Sequence, residues 1–352
     1  MTDWMEYLKT AVAHEASDVF IVAGKAACEK RDGHIYPMSD FRLMPEDTER
    51  IVLGMYHAAG RSPEHFRLRG DDDFSFAVPG LARFRVNTYR QRGSVAAVIR
   101  VVSFDIPDWK EWGIPEEVMA LAEQTSGMIL VTGTAGSGKT TTQACIIDRI
   151  NRTRDCHIVT LEDPIEYLHR HQKSIVSQRE VTIDTKGYLA ALRACVRQAP
   201  DVILLGEMRD AQTMHTAMSA AETGHTVIAT LHTKGAVNAI DRIIDMFPNT
   251  QQTQIRAQLA AVLKTVVSQQ LLPSTGGGMV PACEIMHMTG AIRSMIRDNK
   301  NHQIDNAIAS GSREGMISMD QAILNLYHAG EITKETALLY ADRPDQMKRN
   351  LE

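Results

Sequence analysis

Residues Gly133–Thr140 read Gly-Thr-Ala-Gly-Ser-Gly-Lys-Thr, the G-x-x-x-x-G-K-T spacing of a phosphate-binding loop. The apolar run Met128-Ile129-Leu130-Val131 leads into it and reads as a buried strand. Thr141-Thr142-Gln143-Ala144-Cys145-Ile146-Ile147 follows and reads as a helix. Strand, glycine-rich turn and helix in that order commit the chain to an α/β core. The glycines let the backbone pass close to a phosphate with its N–H groups turned inward, and the helix N-terminus adds positive partial charge. Thr134, Ala135, Gly136, Ser137, Gly138, Lys139, Thr140 and Thr141 are therefore the expected nucleotide cradle. Lys139 is expected to reach the β- and γ-phosphates, and Thr140 to ligate Mg2+. A glycine-rich stretch alone is often only a turn, but here the flanking elements and the Lys-Thr pair occur together.

The rest of the chain bounds what surrounds that core. A length of 352 residues suggests two or three domains with ample chain for a core. The net charge of −5, without a basic tail, gives no support for nucleic acid as the main partner. The opening Met1-Thr2-Asp3-Trp4-Met5-Glu6 is acidic and lacks an apolar signal core. No segment is apolar for long enough to span a membrane. The expectation is a cytosolic chain with no direct membrane insertion, attached to a membrane only through other proteins. The five cysteines are scattered, and no C-x-x-C pair suggests a zinc knuckle or a disulfide framework.

Residues 1–103 mix helical and strand-like patterns. Phe74–Val78 alternates as a strand does, Pro79-Gly80 marks a turn, and Ala82–Tyr89 and Val95–Val102 read as further strands. This predicts a small α+β domain on an antiparallel sheet. Residues 104–115 hold Pro107, Gly113 and Pro115 and read as an interdomain linker. Trp109 and Trp112 within it are expected to pack on a domain rather than bind ligand. From 116 to 272, apolar runs at Met128–Thr132, Ile158–Leu161, Val202–Leu205 and Val227–Thr230 alternate with helical stretches, which predicts a parallel sheet covered on both faces. Residues 273–352 read as a hairpin turning at Gly276-Gly277-Gly278, then amphipathic helices with Met319, Ile323 and Leu326 at core spacing.

Three strand ends carry candidate chemistry. Ligands of open α/β sheets lie beyond the carboxyl ends of the strands. Glu162, in Thr160-Leu161-Glu162-Asp163-Pro164-Ile165-Glu166, sits at such an end. It reads equally as the group that orients or deprotonates a water, or as part of a solvated turn at Asp163-Pro164. Glu207 ends Val202-Ile203-Leu204-Leu205-Gly206-Glu207, a Walker B-like element, and is expected to hold Mg2+ through water or to polarise the attacking water. His225 and His232 flank the run Thr226–Leu231; His232, at the carboxyl end, is the candidate γ-phosphate sensor. Arg83, Arg85, Arg90, Arg92 and Arg100 cluster in the first domain, with Arg83 and Arg85 on one strand face. They are either a solvated face or a charge clamp for nucleotide bound across an interface.

Together these elements resemble the secretion-superfamily hexameric ATPases, most closely the PilT-like type IV pilus retraction ATPases. The resemblance rests on Ala16-Ser17-Asp18, Asp73-Phe74-Ser75-Phe76, Arg83–Asn87, the loop Gly133–Thr140, the acidic box Leu161–Glu166, Gly206-Glu207-Met208-Arg209-Asp210, and Ala221–His225 through His232. Ala291-Ile292-Arg293-Ser294-Met295-Ile296-Arg297-Asp298-Asn299-Lys300 is similar to a helix typical of the retraction branch. The resemblance implies an N-terminal PAS-like domain, a RecA-like P-loop ATPase core with C-terminal helices, and a homohexameric ring. It implies ATP with Mg2+ as the bound species and twitching motility as the output. It implies Glu162 as catalytic glutamate, Glu207 in the Walker B role, and arginines acting between subunits, with Arg85, Arg92 and Arg100 as candidates. An inner-membrane pilus platform protein is the implied partner. A pilus-extension or type II secretion ATPase, or a nucleotide-binding accessory subunit, remains the alternative. The extension and secretion branches usually carry a four-cysteine zinc element that this chain lacks.

Overall fold

The computed structural model describes residues 4–31, 33–102 and 106–352. The opening Met1-Thr2-Asp3 and the Phe104 start of the expected linker lie outside the described residues. The chain divides into two compact units, one ending at Asp105 and one beginning at Ile106.

The first unit is a six-stranded sheet with helices Trp4–Ala13 and Pro45–Ala58. Its strands are β1 (Asp18–Ile21), β2 (Cys28–Arg31), β3 (His34–Pro37), β4 (Asp71–Val78), β5 (Ala82–Gln91) and β6 (Ser94–Val102). They lie in the order β3-β2-β1-β6-β5-β4, every neighbouring pair antiparallel. The period of two is plain in β5, where Phe84 and Val86 are buried and Arg83 and Arg85 lie on the other face. The inward face packs with Leu8, Val52, Met55 and Tyr56 of the helices into one core. Buried Asp72 accepts hydrogen bonds from Tyr56 Oη at 3.0 Å and from Arg61 at 2.8 Å, so its charge is paired.

The second unit holds β7 (Gly127–Thr132), β8 (His157–Glu162), β9 (Ile175–Glu180), β10 (Val202–Leu205), β11 (Thr226–Leu231), β12 (Leu263–Pro273) and β13 (Met279–His287). These form one seven-stranded sheet in the order β13-β12-β7-β11-β10-β8-β9. All pairs are parallel except the β12–β13 hairpin. The apolar runs read from the sequence are its central strands. Their continuous hydrophobicity follows from burial on both faces. Met128 and Leu130 of β7 enter a core shared with helices Ala211–Glu222, Ala236–Asp245 and Asn249–Val262. Ile129 and Val131 enter the opposite core, with Cys145, Ile146 and Ile150 of helix Lys139–Thr153.

Residues 106–115 pack on the second unit, where Trp109 enters its core as expected, with Ile106 and Ile114, and Cys145 Sγ donates to the Pro107 carbonyl at 3.5 Å. One feature differs from the sequence expectation. The hairpin turning at 274–278 is the edge of the main sheet, and Met319 and Ile323 of helix Met319–His328 pack on its Leu272, Val280 and Ala282. Helix Gly290–Arg297 buries Ile292 and Ile296 in the main core and leaves Arg297 exposed. All five cysteines are free thiols.

Candidate nucleotide site

The carboxyl ends of β7, β8, β10 and β11 surround a cavity of about 510 Å³. Each delivers one part of the candidate chemistry: β7 the glycine-rich loop, β8 Glu162, β10 Glu207 and β11 His232. This is where an open parallel sheet places a ligand.

The loop takes its shape from glycines that admit no side chain. Gly133 has φ 145°, and a Cβ there would lie 2.4 Å from the Gln269 carbonyl oxygen and 2.5 Å from Ser137 Oγ. Gly138, at φ 83°, begins the helix Lys139–Thr153 and would set a Cβ 2.8 Å from Gln269 Nε2. Gln269 of β12 also accepts from Thr142 Oγ1 at 2.7 Å, so the neighbouring strand buttresses the loop. Lys139 Nζ donates to the carbonyls of Gly133 at 2.9 Å and Thr134 at 2.7 Å. Burial lowers the Lys139 pKa, and the charges of Glu166 and Glu207 oppose that shift. Ala135, Gly136, Ser137, Gly138, Thr140 and Thr141 line the cavity, and Thr134 stands exposed beside it. Ser137 Oγ and Gln143 Nε2 are buried in the lining without a protein partner. Buried donors of that kind suit phosphate oxygens.

Glu162 is 7% exposed. Thr160 Oγ1 donates to its Oε1 at 2.5 Å and Gln178 Nε2 at 3.2 Å. Burial pushes its carboxyl up to about 7; the two hydrogen bonds only partly oppose this, and the charges of Glu166 and Glu180 add to it. Glu207 pairs through Oε1 with Arg209 and lies through Oε2 3.3 Å from His232 Nε2. The Thr230 hydroxyl donates to the Gly206 carbonyl and ties the ends of β10 and β11 together. Asp210 caps helix Ala211–Glu222 by accepting from Thr213 N–H at 2.8 Å.

Thr140 and Glu207 both face the cavity, as a magnesium site requires. No group of three or more His, Cys, Asp or Glu side chains among the described residues could hold a metal by itself. That donor set suits Mg2+, which keeps water and takes phosphate oxygens in place of an all-protein cage.

His225 lies at the opposite end of β11, its Nδ1 2.9 Å from the Ala220 carbonyl oxygen, where it fastens a helix end. The three arginines belong to the first unit. Arg85 and Arg100 are cross-strand partners on β5 and β6. Arg100 Nε donates to Asp18 at 3.2 Å, and Arg85 Nε lies 4.0 Å from Asp73. Arg92 is apart from them, exposed on the β5–β6 turn at φ 48°.

The cavity has members that sequence reasoning missed. Trp112, assigned to packing, lines it, as do Glu166, Tyr188, Arg209 and Leu271. Gln178 belongs to no motif. It reaches Glu162 because β9 pairs with β8, placing it opposite Thr160.

The Type II/IV secretion system protein family matches residues 2–343. The chain is 40% identical to the type IV pilus retraction ATPase PilT of Pseudomonas aeruginosa over 344 residues, 97% of this chain and 99% of the relative. It is 43% identical over 276 residues to a twitching motility protein of Neisseria gonorrhoeae, covering 78% and 74% of the two chains. The crystal structure of the pilus retraction motor PilT with bound ADP superposes with a TM-score of 0.90 at 45% identity, over 99% of this chain and 100% of that one. The ATPase DotB of Legionella pneumophila shares the fold, with a TM-score of 0.75 at 23% identity and 96% and 93% coverage. The chain therefore belongs to the Type II/IV secretion system family of ATPases.

Proposed function

We propose that this protein is a Mg-ATP-hydrolysing motor for type IV pilus retraction. It acts as a homohexamer on the cytoplasmic side of the inner membrane, against a platform protein there. The observation that carries the catalytic reading is the meeting of the glycine-rich loop, Glu162, Glu207 and His232 around one cavity. The retraction assignment is supported by full-length similarity to PilT. Among the described residues no helix is long and apolar enough to cross a membrane.

The loop binds the phosphates through Ser137, Lys139, Thr141 and its backbone N–H groups. Thr140 and Glu207 would hold Mg2+, and the ion would offset charge on the phosphate oxygens. Glu162 takes the proton of the attacking water as its oxygen bonds to the γ-phosphorus and ADP leaves. A carboxyl near 7 in a buried pocket is suited to that exchange at neutral pH. His232, against Glu207, reports whether the γ-phosphate is present. Arg85, Arg92 and Arg100 supply positive charge to nucleotide held by a neighbouring subunit. Rotation of the domains on hydrolysis turns the platform and draws pilin out of the fibre.

Glu162→Gln tests the chemical assignment. It should bind ATP as the parent does and turn over slower by roughly a hundredfold or more. Hydrolysis at the parental rate would remove Glu162 from its role. Deleting the gene tests the direction of the motor: loss of retraction leaves excess surface pili, whereas loss of an extension motor leaves none.

A further inference from the structure

Gln178 lies on β9, the edge strand of the main sheet, opposite Thr160 of β8. Its amide is oriented at both ends. Oε1 accepts the His169 backbone N–H at 2.8 Å. Nε2 therefore faces the other way, donating to the Tyr167 carbonyl at 2.8 Å and to Glu162 Oε1 at 3.2 Å. A flipped amide would set its NH2 against the His169 N–H and its oxygen against a carbonyl and a carboxylate, losing all three bonds. Thr160 Oγ1 donates to the same Glu162 oxygen. Two donors thus hold Oε1, and neither uses Oε2.

The contact continues toward the phosphate-binding helix. Tyr167 Oη lies 3.0 Å from Thr141 Oγ1, in the first turn of that helix. A continuous run of hydrogen bonds and one backbone link therefore joins Thr141 to Glu162 through Tyr167 and Gln178. We propose that Gln178 is a positioning residue for hydrolysis: it fixes the aim of the Glu162 carboxylate and ties it, through Tyr167, to the turn that grips the phosphates. This inference rests on the reading of Glu162 as the base.

The charged groups around Glu162 give the proposal a specific readout. Glu166 and Glu180 act on it with negative charge, and Lys139, Asp163, Glu207, Arg209 and His232 line the same cavity. Gln178 and Thr160 are the neutral donors that favour its ionised form. Removing the Gln178 donor should make the base harder to ionise as well as less well aimed.

The experiment compares the assembled full-length enzyme with its Gln178→Glu and Gln178→Met variants. Gln178→Glu keeps an oxygen for the His169 N–H and replaces the amide donor to Glu162 by a second carboxyl set against it. Gln178→Met loses both. For each, kcat and KM for Mg-ATP are followed from about pH 6 to pH 9, with the affinity for fluorescent ADP measured alongside. The expected result in both variants is a fall in kcat of about tenfold or more, with the acid limb moved up by about half a pH unit or more. KM and ADP affinity should stay within about twofold of the parent. Parental kcat and an unmoved limb in Gln178→Glu would overturn the proposal and leave Gln178 as a tether for His169. Glu162→Gln assayed beside them separates the two readings. If it turns over at the parental rate, the base assignment fails and takes this inference with it. If it stalls while both Gln178 variants keep the parental profile, this inference alone fails.

Discussion

Glu162 shows how the fold turns an ordinary side chain into a candidate base. Its pKa of about 7 comes from burial, opposed by two donors. A base must be deprotonated to act, so kcat should fall as pH drops through about 7, while ADP affinity should not follow the same limb; a pH series of both quantities checks this. Lys139→Ala should lose nucleotide binding, because it removes the one cavity-lining lysine that sits against the loop carbonyls. Gly133→Ala should do the same by another route. Its Cβ would be driven into the Gln269 carbonyl, at a φ that alanine resists. The defect should appear in ADP titration of a protein that still assembles its strands by circular dichroism. Spacing in the sequence singled out the glycine-rich loop, Glu207 and His232, and the fold brings them to one cavity. Trp112, Arg209 and Gln178 were not singled out, because only the chain's path brings them to the cavity or to Glu162.

At the scale of elements, legibility followed burial. β7, β8, β10 and β11 are buried along nearly their whole length and announced themselves as apolar runs. β9, Ile-Val-Ser-Gln-Arg-Glu, is a polar edge strand with no such run, and it carries Gln178. β12 was hidden by its continuity with helix Asn249–Val262, which passes into the strand without a loop. Leu130→Ala in β7 should cost about 3 kcal/mol, since the central strand cannot collapse around the cavity; denaturant unfolding measures it. The β13–helix junction makes stability depend on pH. Glu284 is 6% exposed and accepts the Ala236 N–H at 2.8 Å, where helix Ala236–Asp245 begins. Burial, with Asp342 and Asp305 nearby, pushes its carboxyl up to about 7. The unfolded chain releases that proton near 4.5 and the folded chain near 7, so stability falls as pH rises through this window and stays lower above it. Glu284→Gln should remove the loss, on the order of 3 kcal/mol at about pH 8. Thermal melts of the two proteins should meet below about pH 4.5, diverge as pH rises above it, and hold a constant difference above about pH 7.

The whole molecule has two units with separate cores, and the division of labour between them is chemical. The second carries every cavity-lining residue of the nucleotide site. The first carries Arg85, Arg92 and Arg100 on a solvent-facing sheet and its turn. Arg100 and Arg85 pair with Asp18 and Asp73 on this exposed face, and exposed pairs contribute little to stability, which agrees with the proposed role toward a phosphate. Arg85→Ala and Arg100→Ala should therefore lower kcat of the assembled enzyme by about tenfold or more and leave its melting temperature within a few degrees. The sequence revealed that Arg83 and Arg85 share a strand face, but not that Arg85 and Arg100 stand opposite each other, which is a matter of register. The most direct test of the central claim is Mg-ATP hydrolysis per subunit over a dilution series, with light scattering for mass on the same samples. A motor whose sites are completed between subunits predicts specific activity that rises as hexamers form. A flat, substantial rate from monomers would contradict it.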